Sequence, residues 1–390
     1  LMTKKWSSRL TFFAFVVLMV GLGSNDSLRG IFSTIFQEHF SLTTTQLGLI
    51  VTASYIGNLV FLLVGGNLST RFSKKRVLQV LILIWMAALA LFAFTSNYTV
   101  LLIGMALALG SSTLLNTTMN LITPLLFATA PGFFVNFLFF TQEIGTSGSQ
   151  YILGSHADGF AFWQHTNLVL LILGAVAFVL LLFCNVPEEA ADPADTPAQK
   201  GGYDWRIIVP YVLVFGFYFI AEHGVMNWMV AYGVDGLSLP QASAAKYLSV
   251  FFGGMMIGRL CLSPLVDKLG ALKSLAAFGG VSCVLYLIGS LGGAVTMPVW
   301  AISGLSFSIL YPTLVMSIRL YFPAQQVSGA AGTILSIASL ADILFNVGFG
   351  KLVDMAGYAV SIRVLPLSVL AFFIVFMLFT KFCKPTQKLK

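Results

Sequence analysis

Apolar positions in this chain neither alternate as in a strand nor trace one stripe of a half-exposed helix. They come in continuous runs of roughly 20 residues, long enough to cross a bilayer core as a helix. Twelve runs can be counted, near 10–33, 46–69, 77–95, 98–127, 133–154, 166–186, 207–233, 243–264, 273–293, 296–319, 327–350 and 359–381. They are too long for the alternating segments of a transmembrane barrel, which span about ten residues each. The expected fold is therefore all-α, with twelve transmembrane helices. Connections are short except at 187–206, "PEEAADPADTPAQKGGYDWR", whose acidic, Pro- and Ala-rich composition reads as a flexible linker. It divides the helices six and six, giving an N-terminal bundle over 1–186 and a C-terminal bundle over 207–390.

Composition agrees. Of 390 residues, 58% are hydrophobic and 9% charged, and the mean hydropathy is +0.91. A soluble domain carries roughly 25% charged residues. The net charge of +7 reads as topology signal, and no nucleic-acid partner is expected. With the N-terminus inside, 17 of the 21 lysines and arginines fall on the inner side. Both termini and the linker are thus expected to face the cytoplasm, in a multi-pass protein of the plasma (inner) membrane. The first apolar run lacks an A-x-A-like site, so no cleavable signal peptide is expected. The four cysteines lack metal-ligand spacing. No His/Asp/Glu cluster, nucleophile elbow or phosphate loop points to an enzyme. No metal or cofactor is expected. Membrane lipids are the expected surroundings, and the working unit is expected to be a monomer.

Polar residues inside the runs carry the chemistry, because charge at membrane depth must line protein or water. The first run holds "GLGSNDSLRG", with Asn25, Asp26 and Arg29. Asp26 and Arg29 are three apart and share a helix face. Two readings stand: an internal salt bridge, or a carboxylate that binds a proton or sodium while Arg29 holds it when the cation is absent. Gly21, Gly23 and Gly30 flank the site and permit close approach of another backbone or local bending of the helix. The fourth run places Asn116 and Asn120 on one face. The fifth holds Asn136, Gln142, Glu143 and Gln150, and the seventh Glu222, His223, Asn227 and Trp228. The eleventh holds Asp342 and Asn346. Amides can hydrogen-bond sugar hydroxyls without charge, and an indole beside them suits the C–H face of a pyranose. The bland alternative for each amide is interhelical packing.

The two halves echo each other. Run 2 leads into "GGNLSTRFSKKRV" and run 8 into "GRLCLSPLVDKLGALKS", each a glycine-bearing helix end followed by a basic loop. Parallel six-helix repeats mark a two-bundle carrier with a substrate site near mid-membrane between the bundles. These features resemble the major facilitator superfamily. Within it, "GLGSNDSLRGIF", "YFIAEHGVMNWMVAY", "FFGGMMIGRL" and "ILYPTLVMSI" resemble helices 1, 7, 8 and 10 of the fucose–galactose–proton symporter family of sugar permeases. The resemblance implies two pseudo-symmetric bundles, alternating access and a proton-binding aspartate at Asp26.

Two positions depart from that pattern. Asn116 stands where fucose permeases carry a membrane-embedded glutamate, with Asn120 at the asparagine four residues on. Arg29 stands where they carry an apolar residue. Asp26 is therefore expected to be the main coupling group, with Glu143 or Glu222 as a second. Asn25, Arg29, Asn116, Asn120, Asn136, Gln142, Asn227, Trp228, Asp342 and Asn346 are the candidate substrate contacts. The reading is a proton- or sodium-coupled transporter of a small polar solute, a sugar first. An organic-anion carrier or a lipid or drug exporter is the alternative.

Overall fold

A computed structural model describes residues 4–127, 131–184, 186–187 and 203–385. The chain divides into two compact units, Leu1–Ala190 and Ala191–Lys390. The N-terminal unit contains α1 (Lys4–Ile31), α2 (Thr44–Arg71), α3 (Lys74–Phe94), α4 (Tyr98–Leu126), α5 (Pro131–Ile152) and α6 (Phe160–Phe183). The C-terminal unit contains α7 (Trp205–Ala231), α8 (Gln241–Leu269), α9 (Ala271–Leu291), α10 (Met297–Leu320), α11 (Ala324–Ala356) and α12 (Tyr358–Phe382). Among the described residues, eleven helices are long and apolar enough to cross a membrane. α5, with 22 residues, has the length of the twelfth. Most of the expected linker, 188–202, lies outside the described residues, while Trp205 and Arg206 already belong to α7.

Helix ends follow local chemistry. Thr43 and Gln46 open α2 with a reciprocal capping box: the Thr43 N–H donates to Gln46 Oε1 at 2.9 Å, and the Gln46 N–H to Thr43 Oγ1 at 3.2 Å. Asn97 and Asp204 cap α4 and α7 by accepting from the amides of Val100 and Arg206. At the far end of α6, Lys75 Nζ donates to the carbonyls of Leu182 and Cys184 at 3.0 and 2.7 Å. A residue of the expected basic loop thus satisfies carbonyls that a helix C-terminus leaves open. α6 starts six residues earlier than its apolar run suggests, at Phe160. Its first turn is held by aromatic packing, with the His39 and Phe160 rings stacked 3.9 Å apart.

α10 is broken into the segments Met297–Ile302, Gly304–Phe307 and Leu310–Ser317 and a 3₁₀ turn, Ile318–Leu320. Pro312 is one cause. It donates no hydrogen bond and crowds the carbonyl four residues back, at Ser308, where the helix is interrupted.

Lipid tails are as apolar as leucine, so helices in a bilayer associate through close packing and hydrogen bonds. One very tight crossing in the N-terminal unit is between α1 and α5. A Cβ on Gly23 would lie 2.0 Å from the Gln142 carbonyl oxygen, and one on Gly145 would lie 2.1 Å from the Val20 carbonyl oxygen. Ser24 Oγ donates to the Gly145 carbonyl at 3.3 Å, and Thr146 Oγ1 to the Gly23 carbonyl at 3.2 Å. The C-terminal unit is knit by aromatic rings. Tyr218 stacks on Phe307 at 4.9 Å, Phe307 on Tyr286 at 5.4 Å, and Tyr286 meets Trp300 edge-on at 5.8 Å.

Candidate functional site

The polar groups of the N-terminal unit converge from α1, α4 and α5. The α1–α5 crossing brings the Asn25–Asp26 stretch of α1 beside the turn of α5 that carries Gln142 and Glu143. On α4, Ser112, Asn116 and Asn120 recur every four residues and so form one ladder on one face. The top rung serves the carboxylate: Ser112 Oγ donates to Asp26 Oδ2 at 3.2 Å. The lower rungs form an amide chain. Asn120 Nδ2 donates to Asn116 Oδ1 at 2.6 Å, and Asn116 Nδ2 donates to Gln142 Oε1 at 2.7 Å. Asp26, Asn116, Asn120, Gln142 and Glu143 are all half-buried, shielded from bulk solvent without being sealed in the core. Asn120 Oδ1 is buried without a hydrogen-bond partner, so the chain of amides retains acceptor capacity at its end.

Asn25 and Arg29 are placed differently. Asn25 is buried, and its Oδ1 accepts from Trp85 Nε1 on α3 at 3.1 Å. Arg29 is 5% exposed. Its guanidinium carbon lies 5.8 Å from the centre of the Tyr55 ring on α2, and Nε has no hydrogen-bond partner. The expected Asp26–Arg29 contact is not formed. A spacing of three puts both groups on one side of α1, but Asp26 turns to Ser112 and Arg29 to Tyr55, so the side chains diverge toward different neighbouring helices.

In the C-terminal unit, Trp228 Nε1 donates to Asn346 Oδ1 at 2.8 Å, tying α7 to α11. Both residues are fully buried, and the indole packs on Phe349 at 4.8 Å between centroids. Asn227 is buried beside them. Trp228 therefore sits as a structural tie, with its N–H already engaged. Glu222 is half-buried one turn closer to the start of α7. Asn136 lies in α5 and Asp342 in α11, but their side chains are outside the described ones.

The structure adds residues that the sequence reading passed over. Ser112 was findable, since it continues the 116/120 spacing by one more step of four. Trp85 and Tyr55 gave no signal, being single aromatics in apolar runs. Gln150 on α5, one of the polar groups expected to matter in that run, is fully buried with both amide atoms unpartnered. Among the described residues, no group of three or more His, Cys, Asp or Glu could hold a metal ion.

Comparison with known proteins fits this arrangement. A family profile described as the Major Facilitator Superfamily matches residues 11–345. The chain is 23% identical over 333 residues to the L-fucose-proton symporter of Escherichia coli (strain K12), covering 74% of this chain and 75% of the relative. It is 26% identical over 364 residues to the hexuronate transporter of Bacillus subtilis (strain 168), covering 85% and 84%. Among solved structures, it superposes on a D-xylose-proton symporter with a TM-score of 0.78 at 16% identity, covering 97% of this chain and 98% of that one. Twelve membrane helices, six in each unit, and a family match over most of the length identify this integral, multi-pass membrane protein as a transporter, not an enzyme, and as a member of the Major Facilitator Superfamily.

Proposed function

We propose that this protein is a cation-coupled carrier of a small sugar-like solute, working by alternating access in the plasma membrane with both termini in the cytoplasm. The observation that carries the reading is the half-buried Asp26 carboxylate on α1, bonded to Ser112 beside the Asn120–Asn116–Gln142 amide chain. The amides offer the neutral hydrogen-bonding groups that sugar hydroxyls need, and the carboxylate offers a place for a proton or sodium ion. Names of relatives support the class, since a fucose-proton symporter and a hexuronate transporter both handle sugars or sugar acids. In the C-terminal unit, Asn227, Asp342 and Glu222 are the remaining candidate contacts, while Trp228 and Asn346 bond to each other.

Transport against a gradient needs a group whose charge differs between the loaded and empty carrier. Desolvation penalises a bare carboxylate, so a bound cation lets the carrier re-orient without exposing that charge to a closed cavity. In this reading Asp26 does the coupling, and Glu143 or Glu222 assists. In proteoliposomes, Asp26→Asn is expected to abolish gradient-driven accumulation of the sugar while leaving counterflow exchange, because the amide mimics the neutral acid. Normal accumulation by Asp26→Asn, still dependent on the pH or sodium gradient, would remove Asp26 from the mechanism.

A further inference from the structure

Arg29 is a buried cation that the proposed sugar site does not use. It is 5% exposed, and its guanidinium stays charged at any physiological pH. Among the described residues no hydrogen bond or ion pair reaches it. Its contact is the Tyr55 ring, at 5.8 Å near the outer limit of a cation–π interaction. Within the membrane helices α1 to α6 the carboxylates are Asp26 and Glu143, and neither pairs with it. A buried charge costs several kcal/mol unless it is paired, and arginine cannot escape that cost by losing its proton. The fork of a guanidinium matches a carboxylate with two parallel hydrogen bonds.

Resting on the transport reading above, we infer that Arg29 is a carboxylate subsite, and that the cargo is a sugar acid whose carboxylate supplies the missing counter-charge. The placement also gives coupling a cause. Asp26 lies one turn before Arg29 on the same side of α1. An ionised Asp26 repels an incoming carboxylate, while a cation-bound Asp26 does not. The cation therefore binds first, and the cargo anion follows. One monoanionic cargo moving with one proton carries no net charge across the membrane.

The test compares D-galactose with D-galacturonate, which share a ring and differ by the carboxylate. Binding is measured by calorimetry on the full-length protein, alongside Arg29→Gln and Arg29→Lys. Wild type is expected to bind galacturonate about tenfold or more tightly than galactose, Arg29→Gln to bind the two within about twofold, and Arg29→Lys to fall between, because an ammonium keeps the charge without the fork. Ligand-free melting temperatures report whether the variants fold. If neither does, the wild-type preference decides, together with galacturonate uptake into proteoliposomes under a clamped membrane potential. Uptake independent of potential supports the inference. A wild type that prefers galactose, or an Arg29→Gln that weakens both sugars equally, overturns it and leaves the sugar reading in place. If neither sugar binds the wild type, the sugar reading fails by itself. Binding of succinate and benzoate then judges Arg29, and no Arg29-dependent binding overturns the carboxylate subsite as well.

Discussion

The two units solve one problem, polar groups at membrane depth, in different ways. In the N-terminal unit, a set of polar side chains bond to one another: Ser112 to Asp26, Asn116 to Gln142 and Trp85 to Asn25 across helices, and Asn120 to Asn116 along α4. In the C-terminal unit, ties between helices are made in part by the polar edges of aromatic rings. Tyr211 bonds to Ser317, Tyr286 to the Ala221 carbonyl, and Trp228 to Asn346, within the Tyr218–Phe307–Tyr286–Trp300 array. Amide and carboxylate networks can exchange partners with a ligand at little cost. Aromatic arrays give area and fixed geometry and adapt poorly. On the transport reading proposed above, the N-terminal network is the part suited to reversible binding.

The largest contrast should come from glycine. Gly23→Val must push α1 off the Gln142 carbonyl 2.0 Å away, and overpacking of this kind costs about 3 kcal/mol or more. Gly216→Ala on α7 meets the Ala341 Cβ at 3.4 Å, and should be neutral or stabilising by up to about 1 kcal/mol. Melting curves in detergent would show a collapse in the first case and little change in the second. Comparable losses would mean that the α1–α5 crossing at Gly23 tolerates added bulk no worse than the α7–α11 contact at Gly216.

Next come the two indole–amide bonds. Trp85→Phe and Trp228→Phe each remove one buried donor and should each cost about 1–2 kcal/mol of stability. Only Trp85→Phe should also impair gradient-driven uptake, since it releases Asn25 beside Asp26. Equal transport defects, measured per folded molecule, would erase the division of labour. Asn116→Ala removes the middle of the amide chain. It is expected to weaken cargo binding by about tenfold, or roughly 1.4 kcal/mol, in titrations where Thr333→Val on α11 has no effect. Ser112→Ala should be the mildest. It removes one hydroxyl from Asp26, about 0.5–1.5 kcal/mol, and is expected to move the pH or sodium dependence of uptake while leaving cargo affinity at saturating cation unchanged.

Run length revealed the helices, because a bilayer imposes one dimension on all of them. It set their ends less well. α1, α8 and α11 extend past their apolar runs, and α6 begins early on the Phe160–His39 stack. The break in α10 was partly legible, since "ILYPTLVMSI" contains Pro312. Spacing of four exposed the Asn116–Asn120 ladder, because residues one turn apart meet whatever their tertiary context. Proximity on one helix did not suffice for Asp26 and Arg29. Their partners, Ser112 and Tyr55, come from α4 and α2, and nothing local in α1 chooses between a neighbour on the same helix and one across a groove. Trp85 was invisible for the same reason: its bond to Asn25 spans 60 residues.

The Gly23–Gly145 crossing also bears on how this chain can change in evolution. Each residue added to a helix turns everything beyond it by about 100°. One residue inserted between Gly23 and Asp26 would swing the carboxylate away from Ser112 while the crossing stayed fixed. One inserted between Gln142 and Gly145 would do the same to the amide chain. Length variation among descendants of this sequence should therefore collect in the loops and avoid 20–29 and 142–146, even where the individual side chains there drift.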